Sequence, residues 1–127
     1  MIFVTVGSAE AGLEFDRLIK AMDEIAGKIG TDVLIQKGSS SIETQYARSF
    51  DYASFQDMAT FYQKASFVVG HCGAGTILQC KKYRKYLIAV PRQLEYGELD
   101  RDDHQLELAQ AVSDVSFVEV VPGKRLW

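Results

Sequence analysis

The sequence predicts an α/β fold with a doubly wound, mostly parallel sheet, in a single domain that covers residues 1–127. Short apolar runs rich in β-branched residues alternate with amphipathic segments along the chain. That alternation is typical of parallel strands joined by right-handed helical crossovers. In addition, a glycine-rich segment leads directly from one apolar run into a helix, as at the ligand-binding edge of such sheets.

Six short apolar runs predict the strands. The first run ends at Gly7, as expected for a strand that is buried on both faces and stopped by a turn. The fifth run is stopped by Pro91, which cannot donate a hydrogen bond to a neighbouring strand. The signal is weakest for the third strand. The predicted strands cover residues 2–6, 32–36, 48–52, 67–70, 87–90 and 116–121.

Helices are predicted between the strands, where apolar residues recur at steps of three and four. The first begins at Phe15 and is expected to close at Gly27 and Gly30. The second is expected to begin at Ser54, with Asp57 three residues later. Two more predicted helices follow: one with Ile77, Leu78 and Cys80 facing inward, and one over residues 102–112.

Composition and charge exclude several classes of function. A net charge of −3 and a pI near 5.3 lack the basic footprint of a nucleic-acid-binding protein. The basic stretch at 81–85 indicates a solvated helix face or a contact with anionic lipid. Cys72 and Cys80 fit neither a zinc pair nor a redox motif, and indicate reduced thiols in a cytoplasmic protein. We expect a soluble chain, since no secretory leader is recognisable and no apolar run reaches roughly 20 residues.

The segment 71–76 is the clearest candidate site, and Gly7 with Ser8 falls at the same predicted edge of the sheet. Gly73 and Gly75 leave room for backbone N–H groups to approach a ligand, and the following helix directs its positive end there. The pattern predicts a diphosphate site or a tight turn. It is neither a Walker loop nor the three-glycine dinucleotide motif.

Two histidines and one acidic run have two interpretations each. His71 contacts a phosphate or shuttles a proton, or else it packs at the strand end. His104 and Gln105 follow the acidic residues at 98–103, and lie either at the ligand-binding edge or in a solvated helix start. The acidic run is better explained by solvation than by a magnesium site. No HExxH spacing is present, so we expect no metal.

Together these segments resemble the C-terminal domain of glycosyltransferase family 28. They are similar to small subunits of bacterial exopolysaccharide transferases and to the catalytic subunit of the eukaryotic transferase that extends dolichyl-diphosphate-GlcNAc. Each segment alone is common, but their combination is specific. The matching segments are residues 3–7, 15–18, 35–38, 71–78, 90–92, 96–98 and 102–109.

The resemblance implies a Rossmann-like domain that forms the C-terminal half of a GT-B glycosyltransferase. It implies that the segment 73–76 receives the donor diphosphate and that backbone near Phe55 holds the uracil. His104 and Gln105 would face the donor sugar or its phosphates. Gln79 stands where the family usually has a glutamate that accepts both ribose hydroxyls. A neutral amide loses the charge-assisted part of that interaction.

The function implied is transfer of a hexosyl or N-acetylhexosaminyl group from a UDP-sugar to a polyprenyl-diphosphate-linked saccharide, without a metal. The acceptor-binding half and the general base would come from a membrane-anchored partner subunit, which would bring the chain to the cytoplasmic face of the membrane. The tail at 121–127 is a docking segment for that partner or a frayed terminus. Gln79 keeps a non-catalytic nucleotide-sugar-binding or scaffolding subunit as the alternative. A generic flavodoxin-like binding module is a third interpretation.

Overall fold

A computed structural model of the chain describes residues 1–7, 15–71, 73–90 and 117–121. Within these ranges, strands and helices alternate as the sequence predicts, and most boundaries agree to within two residues. The strands are β1 (Ile2–Thr5), β2 (Val33–Gln36), β3 (Arg48–Phe50), β4 (Phe67–His71), β5 (Leu87–Val90) and β6 (Val118–Val120), and the helices are α1 (Asp16–Ile29), α2 (Phe55–Lys64) and α3 (Ala74–Tyr83). The helix predicted over residues 102–112 lies outside the described residues.

The six strands form one sheet in the order β3-β2-β1-β4-β5-β6, and every neighbouring pair is parallel. The chain winds outward from β1 to β3 and then returns to place β4 on the other side of β1. This is the doubly wound order in which ligands bind where the winding reverses. The reversal lies between the carboxyl ends of β1 and β4.

Both faces of the central strands β1, β2 and β4 are buried. Side chains alternate along β1, so that Val4 packs on the α1 side while Phe3 packs on the opposite side with Tyr62 and Cys80. Covering helices on both faces explain why the central strands are almost continuously apolar. Phe3 also makes edge-to-face contact with Tyr62, with ring centroids 5.2 Å apart.

Of the two glycines predicted to close α1, Gly30 does so and Gly27 does not. The helix continues to Ile29, and Gly30 caps it in the left-handed conformation with φ of 65°. Gly27 serves packing instead, because a Cβ atom there would lie 2.7 Å from the ring of Tyr46. Ile29, the last residue of α1, is 53% exposed.

Helices α2 and α3 confirm one prediction and correct another. The Ser54 hydroxyl accepts a hydrogen bond from the Asp57 N–H at 3.1 Å, which is the predicted cap of α2. In α3, Thr76 and Cys80 are buried, whereas Leu78 is 63% exposed. Positions four apart share a helix face, and a residue halfway between them points away from it. The prediction that Leu78 faces inward was therefore wrong.

A carboxylate on α1 holds the segment that leads into β3. Asp23 accepts hydrogen bonds from the backbone N–H groups of Gln45, Tyr46 and Ala47, each at 2.9 Å. Burial raises the pKa of Asp23, but these three hydrogen bonds outweigh it and leave the pKa below its ordinary value. The segment is thus fixed by an acceptor that the protein itself supplies.

Candidate functional site

A cavity of about 590 Å³ lies where the winding of the sheet reverses, at the carboxyl ends of β1, β2 and β4. The amino ends of α2 and α3 border it. Most of its lining is apolar or uncharged. Its described lining residues are Thr5, Gly7, Gln36, Tyr52, Ala53, Phe55, Met58, Ala59, Tyr62, His71, Gly73, Ala74, Gly75, Thr76 and Gln79. The cavity therefore gathers, from three separate segments, most of the site residues that the sequence predicts.

The amino end of α3 opens on this cavity. Gly73 is the N-cap and provides no side-chain cap, and the first turn contains no acidic residue. No side chain of the described residues accepts a hydrogen bond from the N–H groups of Ala74, Gly75 or Thr76. A Cβ atom at Gly75 would meet nothing within 4 Å. Free N–H groups and the positive end of the helix dipole suit this position to an anion.

His71 lies between two glycines. A Cβ atom at Gly7 would be 2.5 Å from its Nε2, and one at Gly73 would be 2.2 Å from its Cε1. The ring is also held by Thr76, whose hydroxyl lies 3.0 Å from Nε2. The sequence predicted that Gly73 lacks a side chain to admit a ligand. In the structure, its missing side chain makes room for the imidazole, and Gly75 is the glycine whose Cβ position is open.

Gly7, predicted at the same edge of the sheet as the glycine loop, lines the cavity. It has φ of 78°, which favours glycine. Its N–H donates to Thr5 Oγ1 at 3.3 Å, and its carbonyl oxygen accepts from Gln36 Nε2 at 3.1 Å. Both polar groups of Gly7 are thus engaged within the protein, and it shapes the cavity wall.

Tyr62, which lines the cavity, and Cys80, which packs in the same core cluster, are two buried weak acids. Burial raises the pKa of Tyr62 to about 12, with hydrogen bonding to Thr76 acting in the opposite direction. Burial likewise raises the pKa of Cys80 to about 12. Both groups are therefore neutral at physiological pH, and Cys80 is the small buried thiol that the sequence predicts.

The two residues with a predicted nucleoside role, Phe55 and Gln79, both line the cavity. Phe55, at the first turn of α2, is 74% exposed, and Gln79 lies on α3 one turn beyond the glycine loop. Tyr52 is also exposed at the rim. Phe55 and Gln79 thus border the same space as the amino end of α3, which is the arrangement that their predicted roles require.

Sequence reasoning missed Thr5 and Gln36, which are buried and line the cavity. The signal that could have found them is a polar residue at the carboxyl end of an otherwise apolar strand. A buried polar side chain needs partners, and in a parallel sheet it lies at the edge where ligands bind.

Three predicted site residues lie outside the described residues, namely Ser8, His104 and Gln105, as does Cys72 of the glycine loop. Among the described lining residues none is acidic, and His71 is the one that becomes a cation on protonation. Within the described ranges, no three His, Cys, Asp or Glu side chains lie together as a metal site would require. The described helices include none with the length and apolarity needed to cross a membrane.

Solved glycosyltransferases share this fold. The kitacinnamycin glycotransferase aligns with a TM-score of 0.69 at 10% identity, covering 98% of this chain and 30% of that one. SnogD from Streptomyces nogalater aligns with a TM-score of 0.64 at 15% identity, covering 96% of this chain and 30% of that one. The spinosyn forosaminyltransferase SpnP aligns with a TM-score of 0.61 at 13% identity, covering 97% of this chain and 30% of that one. The chain thus spans about 30% of the length of each.

No curated protein sequence matches the chain significantly. The family model of the glycosyltransferase family 28 C-terminal domain matches residues 1–121, which is nearly the whole chain. The predicted Rossmann-like fold, the C-terminal half of a GT-B enzyme, is thereby confirmed. By this match the chain belongs to the glycosyltransferase family 28 C-terminal domain family.

Proposed function

We propose that this chain is the donor-binding subunit of a split GT-B glycosyltransferase. It transfers a hexosyl or N-acetylhexosaminyl group from a UDP-sugar to a polyprenyl-diphosphate-linked saccharide in polysaccharide biosynthesis. The observation that carries the proposal is the uncapped amino end of α3, which opens on a cavity at the reversal point of a family 28 domain.

The donor diphosphate fits the amino end of α3. The N–H groups of residues 74–76 have no side-chain acceptor among the described residues, and Gly75 leaves the approach open. His71 borders the same space and adds a donor or a positive charge. Negative charge grows on the diphosphate as the sugar leaves, and donors already in place stabilise it. We expect this arrangement to act without a metal or other cofactor.

The nucleoside fits the part of the cavity that is lined by Phe55 and Gln79. A cavity of about 590 Å³ is within the usual range for small-molecule sites. Backbone near Phe55 holds the uracil and Gln79 faces the ribose, so that base, ribose and diphosphate follow one another from α2 to the amino end of α3. Ser8 would contribute to the diphosphate site, and His104 and Gln105 would contact the donor sugar.

The acceptor and the general base come from elsewhere. Transfer requires an acceptor hydroxyl in near-attack geometry with a base within hydrogen-bond reach. His71 is enclosed by Gly7, Gly73 and Thr76, which suits a phosphate contact better than proton transfer from an acceptor. Within this chain, His104 is the other candidate for a catalytic role. A membrane-anchored subunit would supply the acceptor site and bring this domain to the cytoplasmic face of the membrane.

One feature favours a different function. Gln79 lines the cavity where the family usually has a glutamate, so the ribose loses a charged acceptor. A non-catalytic nucleotide-sugar-binding or scaffolding subunit would tolerate that loss. The two functions differ in whether the cavity is needed for sugar transfer.

Radiolabelled transfer to a lipid-linked acceptor tests the proposal. It is measured for this chain alone, for its membrane-anchored partner alone and for the mixture. We expect binding of UDP to the isolated chain by calorimetry, and transfer only in the mixture. Robust transfer by the chain alone would overturn the split-enzyme arrangement.

A variant separates the catalytic function from the scaffolding one. Gly75→Asp places a carboxylate at the proposed diphosphate position. If the chain supplies the donor site, the mixture made with this variant loses transfer while the complex still assembles. Retained transfer by that mixture would support the scaffolding subunit instead.

A further inference from the structure

Gln36 connects the carboxyl ends of three neighbouring strands. It is the last residue of β2, and its side chain is buried beside the cavity. Its Oε1 accepts from the Thr5 hydroxyl at 2.8 Å and from the Val6 N–H at 3.2 Å. Its Nε2 donates to the carbonyl oxygens of Gly7 at 3.1 Å and Asp51 at 3.0 Å. One amide thus joins the ends of β1 and β2 to the backbone just after β3.

The chemistry of these partners fixes the orientation of the amide. A backbone N–H can only donate and a carbonyl oxygen can only accept, so Oε1 must face Val6 and Nε2 must face Gly7 and Asp51. Both N–H groups and both lone-pair directions of the amide are then occupied. Gln36 has no hydrogen-bonding capacity left for a ligand, although it lines the cavity. Its contribution to the site must be made through its neighbours.

The neighbour that matters is Gly7. Its Cα forms one wall of the space occupied by the His71 imidazole, since a Cβ atom there would lie 2.5 Å from Nε2 and 2.8 Å from Cε1. Gly73 forms the opposite wall, and Thr76 holds Nε2 at 3.0 Å. Close packing of this kind transmits small shifts, so movement of Gly7 would move the ring.

Thr5 completes the connection. Its hydroxyl donates to Gln36 Oε1 and accepts from the Gly7 N–H at 3.3 Å. Gly7 is therefore held at its N–H through Thr5 and at its carbonyl by Gln36 directly. Gly7 has φ of 78°, a conformation that few other residues adopt, and these two contacts hold its backbone in that conformation.

We propose that Gln36 is a positioning residue of the donor site, which holds Gly7 against His71 and so fixes the imidazole relative to the amino end of α3. The proposal rests on the proposed function in one respect, that His71 faces the donor diphosphate. Gln36 itself touches no substrate. Its amide acts on His71 through Gly7, with Thr5 as the second contact.

Two isosteric changes break this connection. Gln36→Glu replaces the N–H groups with a carboxylate oxygen, which then faces the carbonyl oxygens of Gly7 and Asp51 with nothing to donate. Thr5→Val removes the hydroxyl between Gly7 and Gln36, and Thr5→Ser restores it. Gln63→Glu makes the same chemical change as Gln36→Glu on the exposed face of α2 and serves as the control.

The experiment combines UDP calorimetry with ¹⁵N NMR of the histidine side chains, the His71 signals being assigned with His71→Gln. We expect Gln36→Glu and Thr5→Val to shift the His71 imidazole resonances and weaken UDP binding by about tenfold, which corresponds to about 1.4 kcal/mol. Thr5→Ser should restore both properties. Gln63→Glu should change neither.

The outcomes separate the two proposals. Unmoved His71 resonances and unchanged UDP affinity in folded Thr5→Val and Gln36→Glu overturn the positioning role. If Gln36→Glu does not fold, the Thr5→Val and Thr5→Ser pair decides alone. Shifted His71 resonances in a protein that binds no UDP in its unmodified form would uphold the positioning role and contradict the donor site.

Discussion

Two segments of this molecule present consecutive backbone N–H groups, and they differ in what accepts from them. At residues 45–47, Asp23 accepts all three hydrogen bonds at 2.9 Å. At residues 74–76, no described side chain accepts, and the first turn of α3 has no acidic residue. Backbone donors need acceptors, so a segment whose acceptor belongs to the protein is structural, whereas one that faces a cavity is available to a ligand.

The comparison predicts that a carboxylate placed at residues 74–76 acts as an internal acceptor there, as Asp23 does for residues 45–47. Gly75→Asp adds an acid at the amino end of α3 and removes a helical glycine, each favourable to the fold by about 0.3–1 kcal/mol. The same carboxylate repels the diphosphate, so UDP affinity should fall on the order of 100-fold or more. The UDP affinity measured by calorimetry should therefore fall, while the free energy of unfolding measured in urea should rise.

Gly75→Ala is the control for that variant. It should stabilise the fold similarly, because a Cβ atom there meets nothing within 4 Å, and it adds no charge. An unchanged UDP affinity in Gly75→Asp would place the diphosphate elsewhere.

The converse change removes the internal acceptor from the first segment. Asp23→Asn retains one oxygen for three N–H groups, and we expect the free energy of unfolding to fall by about 1–3 kcal/mol. UDP affinity of the folded variant should stay the same, because residues 45–47 do not line the cavity. Urea unfolding measures the loss, with Glu24→Gln, an exposed neighbour on α1, as the matched control. An equal loss in the control would show a general effect of charge on the helix.

Low pH should lower the stability that Asp23 contributes by holding residues 45–47. The pKa of Asp23 is lower in the folded protein than its ordinary value, since its three N–H partners outweigh the opposing effect of burial. A lowered folded pKa contributes stability that is fully present above the unfolded pKa and is lost as pH falls through the folded pKa. The stability difference between the unmodified protein and Asp23→Asn should shrink from about pH 5 downward. A difference that is constant with pH would contradict this assignment.

Within the open segment, the two glycines should behave differently. Gly73→Ala places a Cβ atom 2.2 Å from His71 Cε1, so the ring or the backbone must move, at a cost of about 1–3 kcal/mol. Gly75→Ala makes the same change without a clash. Thermal unfolding of the pair should therefore show destabilisation at position 73 only. Equal stability would mean that the imidazole does not occupy the space beside Gly73.

These contrasts also show how far the sequence could predict the molecule. Apolar runs and stripes predicted the parallel sheet and the cap at Ser54, because burial and capping depend on local spacing. They could not predict why position 27 within α1 is a glycine, since the ring that leaves no room for a side chain there belongs to residue 46. The glycine loop was predicted from its pattern, yet the separate uses of Gly73 and Gly75 depend on where His71 packs.

The smallest expected effect concerns Gln79, at the cavity rim beside the open segment. If this residue faces the ribose, Gln79→Glu adds a charged acceptor for the hydroxyls and should tighten UDP binding by about 1–2 kcal/mol. The added charge also approaches the diphosphate, but a position on the second turn of α3 is farther from it than Gly75, so the gain should exceed the repulsion. Calorimetry with UDP and with uridine separates the contributions, because uridine has the ribose and no diphosphate. Tighter binding of both ligands supports the ribose contact, and a gain for uridine alone shows that repulsion from the diphosphate offsets it. Weaker or unchanged binding of both would mean that α3 contacts the donor only at its amino end and that other residues bind the ribose.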